Sequence, residues 1–143
     1  MKKILLLISS VLLVCCSANS PVSVAGTYKA PKWSIPELVL ARLNNMSVAA
    51  NENLELKTDS TFNYSNCSIN ANGHWKLSKD TLLVYFEKKR FIIEELNDDP
   101  AYKFSTKCDS IPFKFLVSKD RTVLKHFDKI KNGGTMLVEL RRR

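Results

Sequence analysis

Outside the first twenty residues, the side chains best suited to covalent or metal chemistry are Cys67, Cys108, His74 and His126. Two cysteines in an oxidising compartment point to a disulfide, the alternative being two free thiols. A bridge from Cys67 to Cys108 would contribute ~4 kcal/mol by restricting the unfolded chain. Metal binding would require both histidines to converge with cysteine or carboxylate ligands, and their separation has no ligand spacing. Both fall at expected outward strand positions, where a histidine is simply solvated. Glu94 and Glu95 are neighbours on a predicted strand and so point to opposite faces, a poor arrangement for paired acid–base work. No Gly-x-Ser-x-Gly, Ser-x-x-Lys, His-Glu-x-x-His or P-loop occurs. The residues therefore designate no catalytic, cofactor-binding or metal site, and the expectation is a non-enzyme without a cofactor.

Aromatic residues offer the remaining chemistry. Tyr28, Phe62, Tyr64, Trp75, Phe113 and Phe115 sit at strand positions that share an inward face. Such rings either pack a core or line a cavity for a small apolar ligand, and small barrels do both.

What carries these residues begins with an export signal. Met1-Lys2-Lys3 is followed by a mostly apolar run from Ile4 to Val14 and then by Cys15-Cys16-Ser17-Ala18. A charged start, a short apolar stretch and a small-residue end form a secretory signal peptide. The run is too short to span a bilayer, which takes ~20 apolar residues. Leu13-Val14-Cys15-Cys16 resembles a bacterial lipobox, in which a small residue precedes the cysteine that is lipidated. Cys16 fits that position better than Cys15, because Val14 is branched. The expected organisation is a lipoprotein signal peptide over 1–15, a flexible tether over 16–23 and a β domain over 24–143. Cleavage after Ala18, giving a secreted soluble protein, is the alternative.

The net charge of the 143 residues is +8. Removing residues 1–15 takes Lys2 and Lys3 away and leaves +6. The basic residues are scattered, apart from Lys88-Lys89-Arg90, which reads as a hairpin turn, and Arg141-Arg142-Arg143, which reads as an exposed tail. Export and this scatter argue against a nucleic-acid partner.

From residue 24 onward the pattern is mostly of period two. Val24 to Lys29 predicts a strand. Ser34-Ile35-Pro36-Glu37 then has the spacing of a capping box with proline in the first turn, starting a helix of about ten residues that runs on to Met46. Leu54/Leu56 and Phe62/Tyr64 predict a hairpin around Thr58-Asp59-Ser60. Further strands follow at Trp75/Leu77, Leu82/Val84/Phe86, Phe91 to Leu96, Tyr102/Phe104, Phe113/Phe115/Val117, Thr122 to Phe127, and Met136/Val138/Leu140 after Asn132-Gly133-Gly134. Nine or ten strands joined by short turns predict an all-β, up-and-down antiparallel meander closing into a barrel or half-barrel.

Leu54-Glu-Leu-Lys-Thr-Asp-Ser-Thr-Phe-Asn-Tyr64 and Gly73-His-Trp-Lys-Leu-Ser-Lys-Asp-Thr-Leu-Leu83 resemble the lipocalin-like lipoproteins of Bacteroidota, as does Gly26-Thr27-Tyr28. The resemblance covers about a quarter of the chain after Cys16 and its motifs are structural. It implies a lipocalin-like barrel, with the helix after the first strand as a departure from the simplest plan, and no particular ligand. Ser17-Ala18-Asn19-Ser20-Pro21 carries no acidic residue, which in that group implies a protein facing the periplasm. The expected function is thus an envelope protein attached to the membrane through lipid on Cys16, binding a small apolar ligand. The alternative is an interaction lipoprotein with a filled core that docks an envelope protein.

Overall fold

A computed structural model describes residues 23–129 and 134–143; the expected signal peptide, most of the expected tether including Cys16, and Asn132-Gly133 lie outside them. The alternating segments form one nine-stranded sheet: β1 (Gly26–Lys29), β2 (Met46–Val48), β3 (Asn53–Leu56), β4 (Thr61–Ser65), β5 (Ile69–Ser78), β6 (Thr81–Phe91), β7 (Phe113–Val117), β8 (Val123–Lys129) and β9 (Thr135–Arg142). From β3 to β9 each strand pairs antiparallel with the next in sequence. β1 pairs with β3 and, through Tyr28–Arg142 and Lys29–Arg141, with β9, which closes an eight-stranded antiparallel barrel. β2 adds a ninth strand, parallel to β9.

Short turns explain the meander. Ser60, Lys79 and Arg121 take left-handed backbone conformations, with φ of 67°, 54° and 57°. Asp59 accepts from the backbone and hydroxyl of Thr61. In the β7–β8 turn, Asp120 accepts from the hydroxyls of Ser118 and Thr122 and from the Thr122 amide. These bonds, that from Ser118 first, hold its carboxyl down at about 2. A depressed carboxyl contributes stability that is present above its unfolded value of 3.8 and lost as pH falls toward 2. The stability difference between wild type and Asp120→Asn, measured by denaturant unfolding, should therefore be full at neutral pH and shrink as pH drops through that window. A difference that grows on acidification would contradict this assignment.

The period-two residues meet in the core. Tyr28, Leu54, Leu82, Leu124 and Leu140 are fully buried, and Leu56, Phe62, Val84, Phe115 and Val138 nearly so. The expected helix is present as α1 (Ile35–Leu43), with the capping box between Ser34 and Glu37. Its nine residues match the expected length, but it ends before Met46, because Asn45 turns left-handed at φ 58° and Met46 enters β2.

Four expectations are corrected. Lys88-Lys89-Arg90 is not a turn but part of β6, paired with Asn72, Ala71 and Asn70 of β5. Phe91 to Leu96 is not a strand: β6 ends at Phe91 and a helical turn, α2 (Glu95–Asp98), follows. The Asn97 side chain stops the strand, accepting from the Phe91 amide and donating to the Phe91 carbonyl. The region of Tyr102 and Phe104 is helical, as a 3₁₀ turn (Pro100–Tyr102) and α3 (Lys103–Thr106). Arg141 and Arg142 are not a tail but lie in β9. The Arg142 guanidinium donates to the carbonyls of Ser23 and Ala25, and the Arg143 amide bonds Thr27.

Candidate interaction surfaces

The six rings weighed as cavity lining converge on the barrel interior, where they are packed. Tyr28, Phe62 and Phe115 retain at most 2% of their surface, and Tyr64, Trp75 and Phe113 pack partly buried against the same core. A ligand-sized void beside the first three would leave them surface that they do not have. Edge-to-face contacts run from Phe62 and Tyr64 through Phe86 to Phe113 and Phe115, with centroids 5.2–6.3 Å apart. Lys89 caps this layer, 4.6 Å above the Phe86 ring, and donates to the Lys107 carbonyl. Trp75 Nε1 donates to the Lys57 carbonyl.

His74 is outward as expected, 2.9 Å from Glu87 and stacked on Tyr85. His126 is not a surface residue. It pairs with buried Val138, so it shares the inward parity of Leu124. Its ring lies 3.7 Å from that of Phe113, and Nδ1 sits 2.7 Å from the Lys114 carbonyl, to which it donates. Phe127 takes the outward position and is 49% exposed. The expected disulfide is not formed: Cys67 and Cys108 are free thiols, one exposed beside Ser68 and the other against the Thr106 carbonyl. Cys67 follows the turn residue Asn66, whose side chain accepts from the Ser68 and Ile69 amides, while Cys108 follows the helical insertion. Among the described residues, no three His, Cys, Asp or Glu side chains converge to hold a metal, and no helix is long and apolar enough to cross a membrane.

The outer barrel surface carries two features that the sequence patterns did not assign. One is a polar groove of ≈ 390 Å³ across β3–β6, lined by Asn53, Asn63, Tyr64, Ser65, Asn70, Asn72, Lys88 and Arg90. Register builds it: Asn53–Ser65–Asn70–Arg90 and Glu55–Asn63–Asn72–Lys88 are consecutive cross-strand neighbours, forming two parallel rows. Asparagine is depleted in strands because its side chain competes for backbone hydrogen bonds, yet four occupy these rows. Asn63 donates to Glu55, and Arg90 pairs with Glu94 at 2.7 Å. Asn53 Oδ1 is shielded from solvent and accepts no hydrogen bond from the protein. At the groove's edge burial pushes the Glu52 carboxyl up, partly offset by a hydrogen bond from Tyr64. Burial and the Glu52 charge raise the Tyr64 hydroxyl well above its usual range.

The other feature is α1. Ile35, Val39, Leu40 and Leu43 are 77%, 53%, 61% and 79% exposed. On the far side of the barrel from the Asn rows, Glu139 is buried on the outer face and held by Lys125 at 3.1 Å and Arg141 at 2.8 Å. Burial pushes its carboxyl up, and the two cations together outweigh that and hold it below its usual value.

No family model, curated protein or solved structure matches the chain. The reading below therefore rests on sequence signals and geometry.

Proposed function

We propose that this chain is an exported envelope lipoprotein, resembling the lipocalin-like lipoproteins of Bacteroidota. In this reading it is anchored through lipid on Cys16, faces the periplasm and acts without catalysis as an interaction module. The observation that carries the proposal is the filled core. With Tyr28, Phe62 and Phe115 packed against one another's neighbours, the interior that would take an apolar ligand is occupied by side chains. Recognition then falls to the outer surface. The Asn-rich groove supplies aligned amide donors and acceptors, two cations and a protein-unpaired acceptor at Asn53. Such a surface suits a polar envelope partner, because its hydrogen-bonding groups lose least when they are met by others.

Two measurements test this. Radiolabelled palmitate should enter the wild-type chain and not Cys16→Ser; an unlabelled wild type refutes the anchor. A photo-crosslinker at Asn72, placed in the native cell envelope, should give a discrete adduct that the pair Lys88→Ala/Asn70→Ala reduces several-fold. The same probe at Lys76, further along β5, should not give it. Equal adducts from both positions would refute the groove as the docking surface.

A further inference from the structure

We infer that the exposed apolar face of α1 seats on an anionic lipid bilayer and orients the barrel, its Asn-rich groove turned away from the membrane. Successive residues of a helix advance by about 100°, so Ile35, Val39 and Leu43 form one stripe with Leu40 beside it. A surface helix normally turns such a stripe to the core. Here the stripe is exposed along its whole length, and no residue of the helix is buried. α1 contacts β2, the strand it leads into, and the side of the helix opposite the stripe carries the half-buried Ala41. The apolar face is therefore presented outward as a unit, the form of an interfacial helix.

Charge selects the bilayer as its occupant. Lys29 at the end of β1, Lys32 ahead of the helix and Arg42 on it are all exposed. The one acid in α1, Glu37, is engaged by its own cap, accepting from the Ser34 amide and hydroxyl at 2.7 Å, with Arg141 lowering it further. Cations beside an apolar stripe are drawn to anionic headgroups. Chain length agrees. Six residues lie between Cys16 and Ser23, where the described chain begins, and the seven residue steps reach at most about 25 Å. A lipid on Cys16 thus keeps the barrel close enough to the surface for its side wall to touch it.

Topology supplies the orientation. α1 leads into β2, which pairs with β9. Around the closed ring β1-β3-β4-β5-β6-β7-β8-β9, the strand four places from β9 is β5, at the centre of the Asn rows. Seating α1 on the bilayer points the groove into the aqueous compartment.

The inference rests on the envelope reading, and its test separates the two. Hydrogen exchange of the full chain is followed on vesicles of phosphatidylcholine with phosphatidylglycerol and of phosphatidylcholine alone. Amides of α1, a short helix with no buried residue, should slow at least tenfold on the anionic vesicles and less on the neutral ones. Val39→Lys/Leu43→Lys should abolish the slowing while keeping palmitate incorporation and the thermal midpoint. Lys32→Glu/Arg42→Glu, which leaves the apolar stripe intact, should weaken it several-fold. Palmitate labelling without any slowing of α1, or slowing that survives Val39→Lys/Leu43→Lys, overturns the docking and leaves the anchor standing. Slowing in a chain that takes up no palmitate refutes the anchor and supports the docking. Protection of α1 by a co-purified protein and not by vesicles overturns it in favour of a protein partner.

Discussion

Tyr28→Ala should cost about 3–5 kcal/mol of stability, the range for removing a large buried ring. Tyr28 is fully buried at the seam that closes the barrel, where β1 meets β3 on one side and β9 on the other. Its hydroxyl lies 2.9 Å from the carbonyls of Val24 and Arg121 and shares its proton between them. One side chain thus ties the entry of β1 to the β7–β8 turn. Burial raises the hydroxyl above its usual value, with Arg142 and Arg121 acting against it, so it stays protonated and a donor at neutral pH. Tyr28→Phe keeps the ring and leaves both carbonyls without this donor, which should cost about 1–3 kcal/mol. Denaturant unfolding checks both values. Hydrogen exchange adds a local readout: the amides of β1 and the end of β9 should lose protection before those of β5 and β6. A Tyr28→Ala protein within about 1 kcal/mol of wild type would show that the seam does not depend on this residue.

Gly73→Ala should be comparably damaging for a steric reason. β5 shifts register against β6 between Asn72 and Gly73, a β-bulge that brings the two backbones close. A methyl group on Gly73 would press into the Tyr85 carbonyl oxygen and lie 2.9 Å from the Glu87 amide nitrogen and 3.0 Å from Phe62 Cε1. None of these can yield cheaply: two are backbone, and Phe62 is 1% exposed in the core. Over-packing costs about 1–3 kcal/mol where side chains can adjust, and more is expected where backbone must move. The bulge also sets which side of β6 carries Lys88 and Arg90, so the variant should disturb the groove. Loss of stability should therefore be accompanied by loss of the Asn72 crosslink. Retention of full stability would mean that the bulge can relax at little cost.

Much of the architecture is legible in local patterns. Alternation at Leu54/Leu56, Phe62/Tyr64 and Phe113/Phe115 assigns inward faces that the structure keeps, since a strand turned over by one residue would expose its whole apolar set. Turn chemistry at Asp59 and Asp120 acts within two residues, and so does the capping box at Ser34 and Glu37; such short-range bonds need no knowledge of the rest of the chain. The misread segments depend on distant partners. Lys88-Lys89-Arg90 has the composition of a turn, yet β5 continues opposite it and supplies the hydrogen bonds that keep it extended. The terminal arginines look like a solvated tail until β1 and Ser23 are placed beside them. His126 reads as outward in the sequence because a period-two pattern allows two parities, and only pairing with Val138 selects the inward one.

Local residue patterns suffice for an all-β meander, for the helix after the first strand, and for the expectation of export and lipidation carried by the first sixteen residues. Those are properties of neighbouring residues. Long-range pairing fixes the closure of the sheet through β1 and β9, the filling of the interior by aromatic residues, and the free state of Cys67 and Cys108. The same pairing lines one groove with four asparagines from β3, β4 and β5, while the apolar side of α1 faces out. Each of these depends on strand register and on closure of the ring, which bring together residues far apart in the chain.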